Sequence, residues 1–208
     1  MADGVAITAG SGTTILTDDT GTGGHAQVVK LAISTDGSGT LIPAEATYGL
    51  LSSGVARRDL VRISVALSGV TTATTAYTAG DQVGTQVSLT GAARASGGSG
   101  TIVAVQLIDQ SDIIGAYDVV FSRASITPAS DNAAFAISDA DSLNVVGLVA
   151  LAGAYDIGNN RIAQATNLAV PYDCSGGTTL YANLITRYGH TFFTAGALPQ
   201  LVVWVELN

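Results

Sequence analysis

Val61-Arg62-Ile63-Ser64-Val65-Ala66-Leu67 decides the fold class. An extended chain places Val61, Ile63, Val65 and Leu67 on one side and Arg62, Ser64 and Ala66 on the other, the period-two pattern of a half-buried strand. The pattern recurs downstream. Val83, Thr85, Val87 and Leu89 alternate with Gly84, Gln86 and Ser88. Val103, Val105 and Leu107 follow the loop Gly97-Gly98-Ser99-Gly100, and Tyr117, Val119 and Phe121 form a shorter run. Leu180, Ala182 and Leu184 alternate with Tyr181, Asn183 and Ile185. Leu201, Val203, Val205 and Leu207 close the chain, with Trp204 facing the other way. Upstream, Val29, Leu31 and Ile33 share a face before the turn signal Asp36-Gly37. Val145 to Leu151 is apolar on both faces and reads as a central strand. Ile162 to Val170 follows the turn Gly158-Asn159-Asn160. That makes about nine strands. Helical signals are few: residues 43–56 ahead of Arg57-Arg58, and one turn over Ser138 to Leu143 capped by Ser138 or Asp139. Many short strands joined by Gly-rich turns predict an all-β protein, an antiparallel β-sandwich of jelly-roll-like form.

Residues 1–25 read differently. They are rich in Gly, Thr, Asp and Ser, and their glycines oppose a helix. One apolar pair, Ile15-Leu16, interrupts them. We expect an extended N-terminal arm over 1–25 and a sandwich body over 26–208, with the arm laid along another surface in an assembly.

Composition narrows the function. The chain has 208 residues, 47% hydrophobic and only 12% charged, with mean hydropathy +0.41. That apolar content argues against disorder as the main state, and no run approaches about 18 apolar residues, so no membrane association is expected. Asp+Glu total 16 against Lys+Arg 8, a net charge of −8, and Lys30 is the single lysine. A nucleic-acid binder needs a cationic footprint for phosphates, so no nucleic-acid partner is expected. Small neutral residues lose little rotamer entropy when covered, which suits a protein that lives against neighbours. The lone Cys174 cannot form an internal disulfide, and Met-Ala-Asp-Gly is not a leader sequence, so synthesis in a reducing host cytoplasm is expected.

Residues able to carry chemistry are few. His25 lies in the arm, and His190 follows Tyr188-Gly189. A Cys174/His190 nucleophile pair is conceivable, but a turn histidine and a packed cysteine explain both residues more simply. No Gly-x-Ser-x-Gly elbow or phosphate loop occurs, and the Gly-x-Gly sites at 10–12, 21–23 and 37–39 lack the third glycine of a dinucleotide fingerprint. Asp139 and Asp141 have the spacing of a calcium-loop start, which makes them weak metal candidates. The positions that need Gly and Glu hold Asn144 and Ala150, so no metal site is expected. Tyr77, Tyr155 and Tyr181 could form a carbohydrate platform, though aromatics spread over strands serve more simply as core or interface anchors. No cofactor is implied, and the protein is expected not to be an enzyme.

The segments Val5-Ala6-Ile7-Thr8-Ala9-Gly10-Ser11-Gly12-Thr13, Thr17-Asp18-Asp19 and Gln27-Val28-Val29-Lys30-Leu31 resemble the start of tailed-bacteriophage virion proteins. Ala76 to Gly84, Ser130 to Asp139, and the tail from Leu180 through Arg187 to Leu207 share that style. Within that class the chain is most similar to capsid decoration, or cement, proteins. The resemblance implies a non-enzymatic homotrimer on the outer capsid surface that bridges capsomers and stabilises the shell. Its partners would be the major capsid protein and itself. Ile7, Ile15, Leu16, Asp18 and Asp19 are then the candidate capsid-binding residues of the arm, and Tyr181 and Trp204 the candidate subunit-interface residues. The alternative is a tail, neck or head-fibre component that adsorbs to a host surface.

Overall fold

The computed structural model describes residues 18–19, 25–26, 32–33, 40–41, 59–70, 75–113, 115–191 and 193–208. The chain divides into two compact units, Met1–Val55 and Ala56–Asn208. In the first, β1 (Asp18–Asp19) pairs antiparallel with β2 (His25–Ala26). There β3 (Ala32–Ile33) pairs with β4 (Thr40–Leu41) across the segment that contains Asp36-Gly37. The arm residues Ile7, Ile15 and Leu16, and the expected helix over 43–56, lie outside the described residues.

The second unit holds the long strands. These are β5 (Asp59–Ala66), β6 (Gln82–Thr90), β7 (Ser99–Asp109), β8 (Tyr117–Ser122), β9 (Val145–Leu151), β10 (Ala154–Asp156), β11 (Arg161–Ala165), β12 (Val170–Asp173), β13 (Thr179–Thr186) and β14 (Gln200–Leu207). One sheet runs β10-β11-β7-β14-β5, with β12 beside β11 along the same edge of β7; the other runs β6-β13-β8-β9. All pairings are antiparallel.

The order of the strands identifies the topology. Treat β11 and β12, which share one edge of β7, as one interrupted strand, set β10 aside as an added edge strand, and number the eight positions from β5 in chain order. The sheets become 1-8-3-6 and 2-7-4-5. Each connection from one position to the next crosses between the sheets except that from 4 to 5, the hairpin of β8 and β9, and this is the strand order of a jelly roll, with its two nested Greek keys. The expected fold class is the observed one.

Alternation places the core. Ile102, Val105 and Leu107 of β7 and Leu201, Val203 and Val205 of β14 meet Val119 and Phe121 of β8 and Leu180, Ala182 and Leu184 of β13; all are at most 2% exposed. Each of these Val, Ile, Leu and Phe side chains contributes roughly 1.5–3 kcal/mol on burial. The expected one-turn helix is α1 (Asp139–Ser142), whose Asp141 N–H donates to the Ser138 hydroxyl at 3.1 Å.

Two expectations need correction. Val145 to Leu151 is β9, an edge strand rather than a central one. Its inner side packs against β11 and β12 of the other sheet, closely enough that a Cβ on Gly147 would fall 2.5 Å from Val170 Cγ1, while Leu148 and Ala150 on its outer side are apolar yet exposed. The run from Ile162 to Val170 is not continuous. It breaks at Asn167, whose φ of 56° no strand accommodates, and both fragments then pair with β7. A second irregularity lies on β6. Between Val83 and Val87 it has three residues where β13 has one, and Gly84 takes up the slack at φ 70°.

Candidate assembly surface and loop-end cluster

The outer faces of the two sheets differ. On β6-β13-β8-β9, the segment between β8 and α1 folds back across the face. Ser125 Oγ donates to Gln86 Oε1 at 2.8 Å, and Asn132 and Phe135 N–H groups donate to the carbonyls of Gln82 and Gly80. Val120, on the side of β8 away from the core, and Ile126 are accordingly 5% exposed, and Asn183 is fully buried. Tyr181 lies on this partly covered face, half-buried, opposite Ser122 and Ser88.

The outer face of β10-β11-β7-β14-β5 is open at Arg62, Ser64, Ala66, Gln164 and Thr166, while Val202 at its centre is fully buried. Register defines its rows. One runs Ala66, Gln200, Ile108, Ile162, Tyr155; the next Ser64, Val202, Gln106, Gln164; a third Arg62, Trp204, Ala104. Within these rows Arg62 is the one charged side chain, and the adjoining row of Leu60, Glu206 and Thr101 adds Glu206. The Arg62 guanidinium sits 5.7 Å from the Trp204 ring centroid, a cation–π arrangement that covers the ring in part. Trp204, Leu60, Val103, Gln106, Gln164 and Thr166 line a shallow depression of about 460 Å³. Leu60 in this lining is 63% exposed, and Tyr155 on β10 at the edge of the sheet is 69% exposed. The two interface candidates, Trp204 and Tyr181, therefore lie on opposite sheets, and only Trp204 belongs to an open face.

At one end of the sandwich a buried cluster ties loops together. The His190 ring stacks on Tyr77 (centroids 4.9 Å, 30° between planes) and meets Phe193 and Tyr117 edge-on at 5.3 and 5.8 Å. Tyr77 and His190 also exchange backbone hydrogen bonds. His190 Nδ1 lies 2.6 Å from the Thr191 carbonyl, while buried Nε2 has no partner among the described residues. Burial holds the imidazole below its ordinary pKa, against the opposing pull of the Thr191 carbonyl, Asp109 and Asp81. Burial likewise raises Asp109, although Ser111 and Ile113 N–H groups donate to its two oxygens at 2.8 and 2.7 Å. Desolvation pushes the Tyr117 hydroxyl up as well. Tyr77 donates to Asp131 Oδ1 at 2.8 Å, and the same oxygen accepts the Gly84 N–H at 2.6 Å.

This cluster does not make the conceivable nucleophile pair. Cys174 N–H donates to the Gly98 carbonyl just before β7, whereas Asp109 ends that strand beside His190. β7 has 11 residues, so the two positions are roughly 30 Å apart. Cys174 is 1% exposed, and burial raises its thiol pKa. The tyrosine platform is not assembled either: Tyr77 is 1% exposed in the cluster, and Tyr155 and Tyr181 sit on different sheets. Asp18 and Asp19 form β1. Asp139 and Asp141 occupy the first turn of α1, where Asp141 Oδ2 accepts the Thr127 N–H at 3.3 Å. No group of three or more His, Cys, Asp or Glu that could hold a metal occurs among the described residues.

Three residues that the sequence did not single out converge at the same loop end: Asp118 on β8, Arg187 just after β13, paired with it, and the exposed Tyr188. The available signal was Asp118 itself, a carboxylate inside the apolar run Tyr117–Phe121.

No protein-family model and no curated protein sequence matches the chain. Solved structures similar to it include a full particle of Israeli acute paralysis virus heated to 63 degrees, at 10% identity and TM-score 0.26, covering 97% of this chain and 92% of that one. The native virion of Kashmir bee virus gives 14% identity in both of its forms. At acidic pH the TM-score is 0.30, covering 96% of this chain and 91% of that chain; at neutral pH it is 0.29, with 88% and 83%. At these scores the likeness carries no functional argument, and the jelly-roll assignment rests on the strand order.

Proposed function

We propose that this chain is a non-enzymatic structural protein of a tailed-phage virion that decorates the outer capsid surface and stabilises the shell by bridging capsomers. The observation that supports it most directly is the open outer face of the β5-containing sheet. In a chain of net charge −8, copies repel one another through most of their surfaces. A face whose central rows carry one guanidinium, already seated on Trp204, can be covered with little desolvation of charge. The partners on this reading are the major capsid protein and further copies of the chain as a homotrimer. The arm over 1–25 reaches the capsid, and several weak contacts act together.

The test is decoration of capsids that lack this protein, followed by particle imaging. The full chain is expected to occupy fixed outer sites, and a chain lacking residues 1–25 is expected to fold and leave them empty. Full occupancy by the truncated chain removes the arm mechanism. Absence of the protein from purified particles removes the virion reading.

A further inference from the structure

The loop end carries a second depression, of about 350 Å³, separate from the open sheet face and lined by Asp118, Arg187, Tyr188, Ala150, Leu151 and Ala152 among others. We propose that it binds a single neutral sugar ring, an activity that goes beyond the virion reading and does not depend on it. The volume falls at the small end of ligand sites, which run from about 300 Å³ upward.

Asp118 carries the inference. Its residue is 3% exposed. One carboxylate oxygen, Oδ2, is paired with the Arg187 guanidinium. The other, Oδ1, is buried with no hydrogen-bond partner among the described residues. Buried carboxylate oxygens are rarely left in that state, because the lost hydration is not replaced. A hydroxyl donor in the depression replaces it once the carboxylate turns, because Oδ1 is closed to solvent without a ligand. Arg187 has further N–H donors in a fixed fork, so a donor and an acceptor stand side by side, matching two neighbouring hydroxyls. Tyr188 is 64% exposed at the rim, an aromatic surface for the C–H face of a ring. Ala150 and Ala152, small residues, line the same depression.

Charge selects among ligands. Asp118 and Arg187 cancel each other, so neither an anion nor a cation gains a free counter-charge, and the surrounding net charge of −8 disfavours anions further. The ion pair also makes the site too polar for a purely apolar guest. A neutral polyol satisfies both constraints. The turn that bears the site is held in advance: Arg187 N–H donates to the Ala116 carbonyl at 2.8 Å, and Thr186 Oγ1 donates to the Tyr188 carbonyl at 2.6 Å. Little ordering remains to be done on binding.

The test is amide-resolved NMR of the full chain with methyl glycosides of glucose, galactose, mannose and N-acetylglucosamine. At least one is expected to shift the amides of Ala150, Ala152 and Tyr188 with a millimolar dissociation constant. Tyr188→Ala, which removes an exposed side chain, is expected to keep the fold and weaken that binding by about tenfold or more. Asp118→Asn is expected to weaken it as well; where that variant does not fold, the Tyr188 variant decides. No shift with any of the four sugars, shifts confined to other residues, or binding unchanged by Tyr188→Ala each overturn the proposal.

Discussion

Acidification should loosen the body through His190, and substitution to phenylalanine should remove that sensitivity. The imidazole sits among Tyr77, Tyr117 and Phe193, with Nε2 unpartnered and Nδ1 against the Thr191 carbonyl. Its folded pKa lies below the ordinary value of 6.5 because burial penalises the cation. The unfolded chain therefore takes up a proton first as pH falls. Between 6.5 and the lower folded pKa the unfolded state holds more protons, and stability declines with falling pH. One proton limits the slope to about 1.4 kcal/mol per pH unit. Asp109 acts oppositely in a lower window. Its folded pKa is raised, so between the unfolded carboxylate value and the folded one the native state holds the extra proton, and falling pH restores stability. Asp81, the other acidic group acting on the ring, favours the imidazolium and moderates the decline.

The assay is urea unfolding of the full chain at a series of pH values, read by the fluorescence of Trp204, the single tryptophan. Wild type should lose stability progressively on going below about pH 6.5. His190→Phe keeps an aromatic ring in the stack but gives up the hydrogen bond to Thr191, a pH-independent cost of about 1 kcal/mol. Its profile should be flat over that range. An equally steep decline in His190→Phe would place the proton uptake elsewhere and refute the reasoning.

Three further outcomes follow from the packing. Gly147→Ala should destabilise by about 1–3 kcal/mol, because the new methyl meets Val170 Cγ1 at 2.5 Å, and Gly147→Ala with Val170→Ala should recover most of the loss in thermal melts. Cys174, 1% exposed and with a raised pKa, should react with a thiol reagent no faster than the body opens; rapid labelling of native protein contradicts its burial. Leu60→Glu, at a position 63% exposed, should change stability by no more than about 0.5 kcal/mol while abolishing self-association in sedimentation, and an unchanged sedimentation profile removes this face as the interface.

The strands were legible where each residue answered to a single neighbour layer. In β5 and β14 one face meets the core and the other does not, so alternation alone locates them. In β7 the register shift at Trp204/Val205 puts Ile102 in the core and Val103 on the outer depression, against the phase expected for Val103. Alternation failed at β9, where Leu148 and Ala150 are apolar but exposed at the sheet edge, and no local pattern separates that from a central position. The break at Asn167 depends on a single positive φ. The sites were less legible, because they depend on pairing order. Phase shows that Tyr181 and Trp204 both face away from the core, but not that they belong to different sheets. Cys174 and His190 are close in sequence, yet β13 runs between them and carries the chain from one end of the sandwich to the other. Asp118 and Arg187 meet only because β8 pairs with β13.

The open face also constrains the symmetry of any assembly. A patch that packs on its own copy generates a two-fold dimer, whereas a three-fold ring needs two different patches, each meeting the other on the next subunit. The second patch would be the free edge of the same sheet. β5 ends the strand order and pairs only with β14 among the described residues, which leaves one row of its backbone groups available for main-chain bonding. Leu60 belongs to both surfaces, lying on β5 and lining the depression beside Trp204. A trimer on the proposed reading thus sets the edge of one copy against the face of the next. Substituting Ile63, whose side chain points to the core, with proline would delete one backbone donor and disturb packing together, so it cannot separate the two geometries. Stoichiometry tests the trimer: a sedimentation mass of three chains supports the face-to-edge arrangement, and a mass of two rules it out in favour of a two-fold contact.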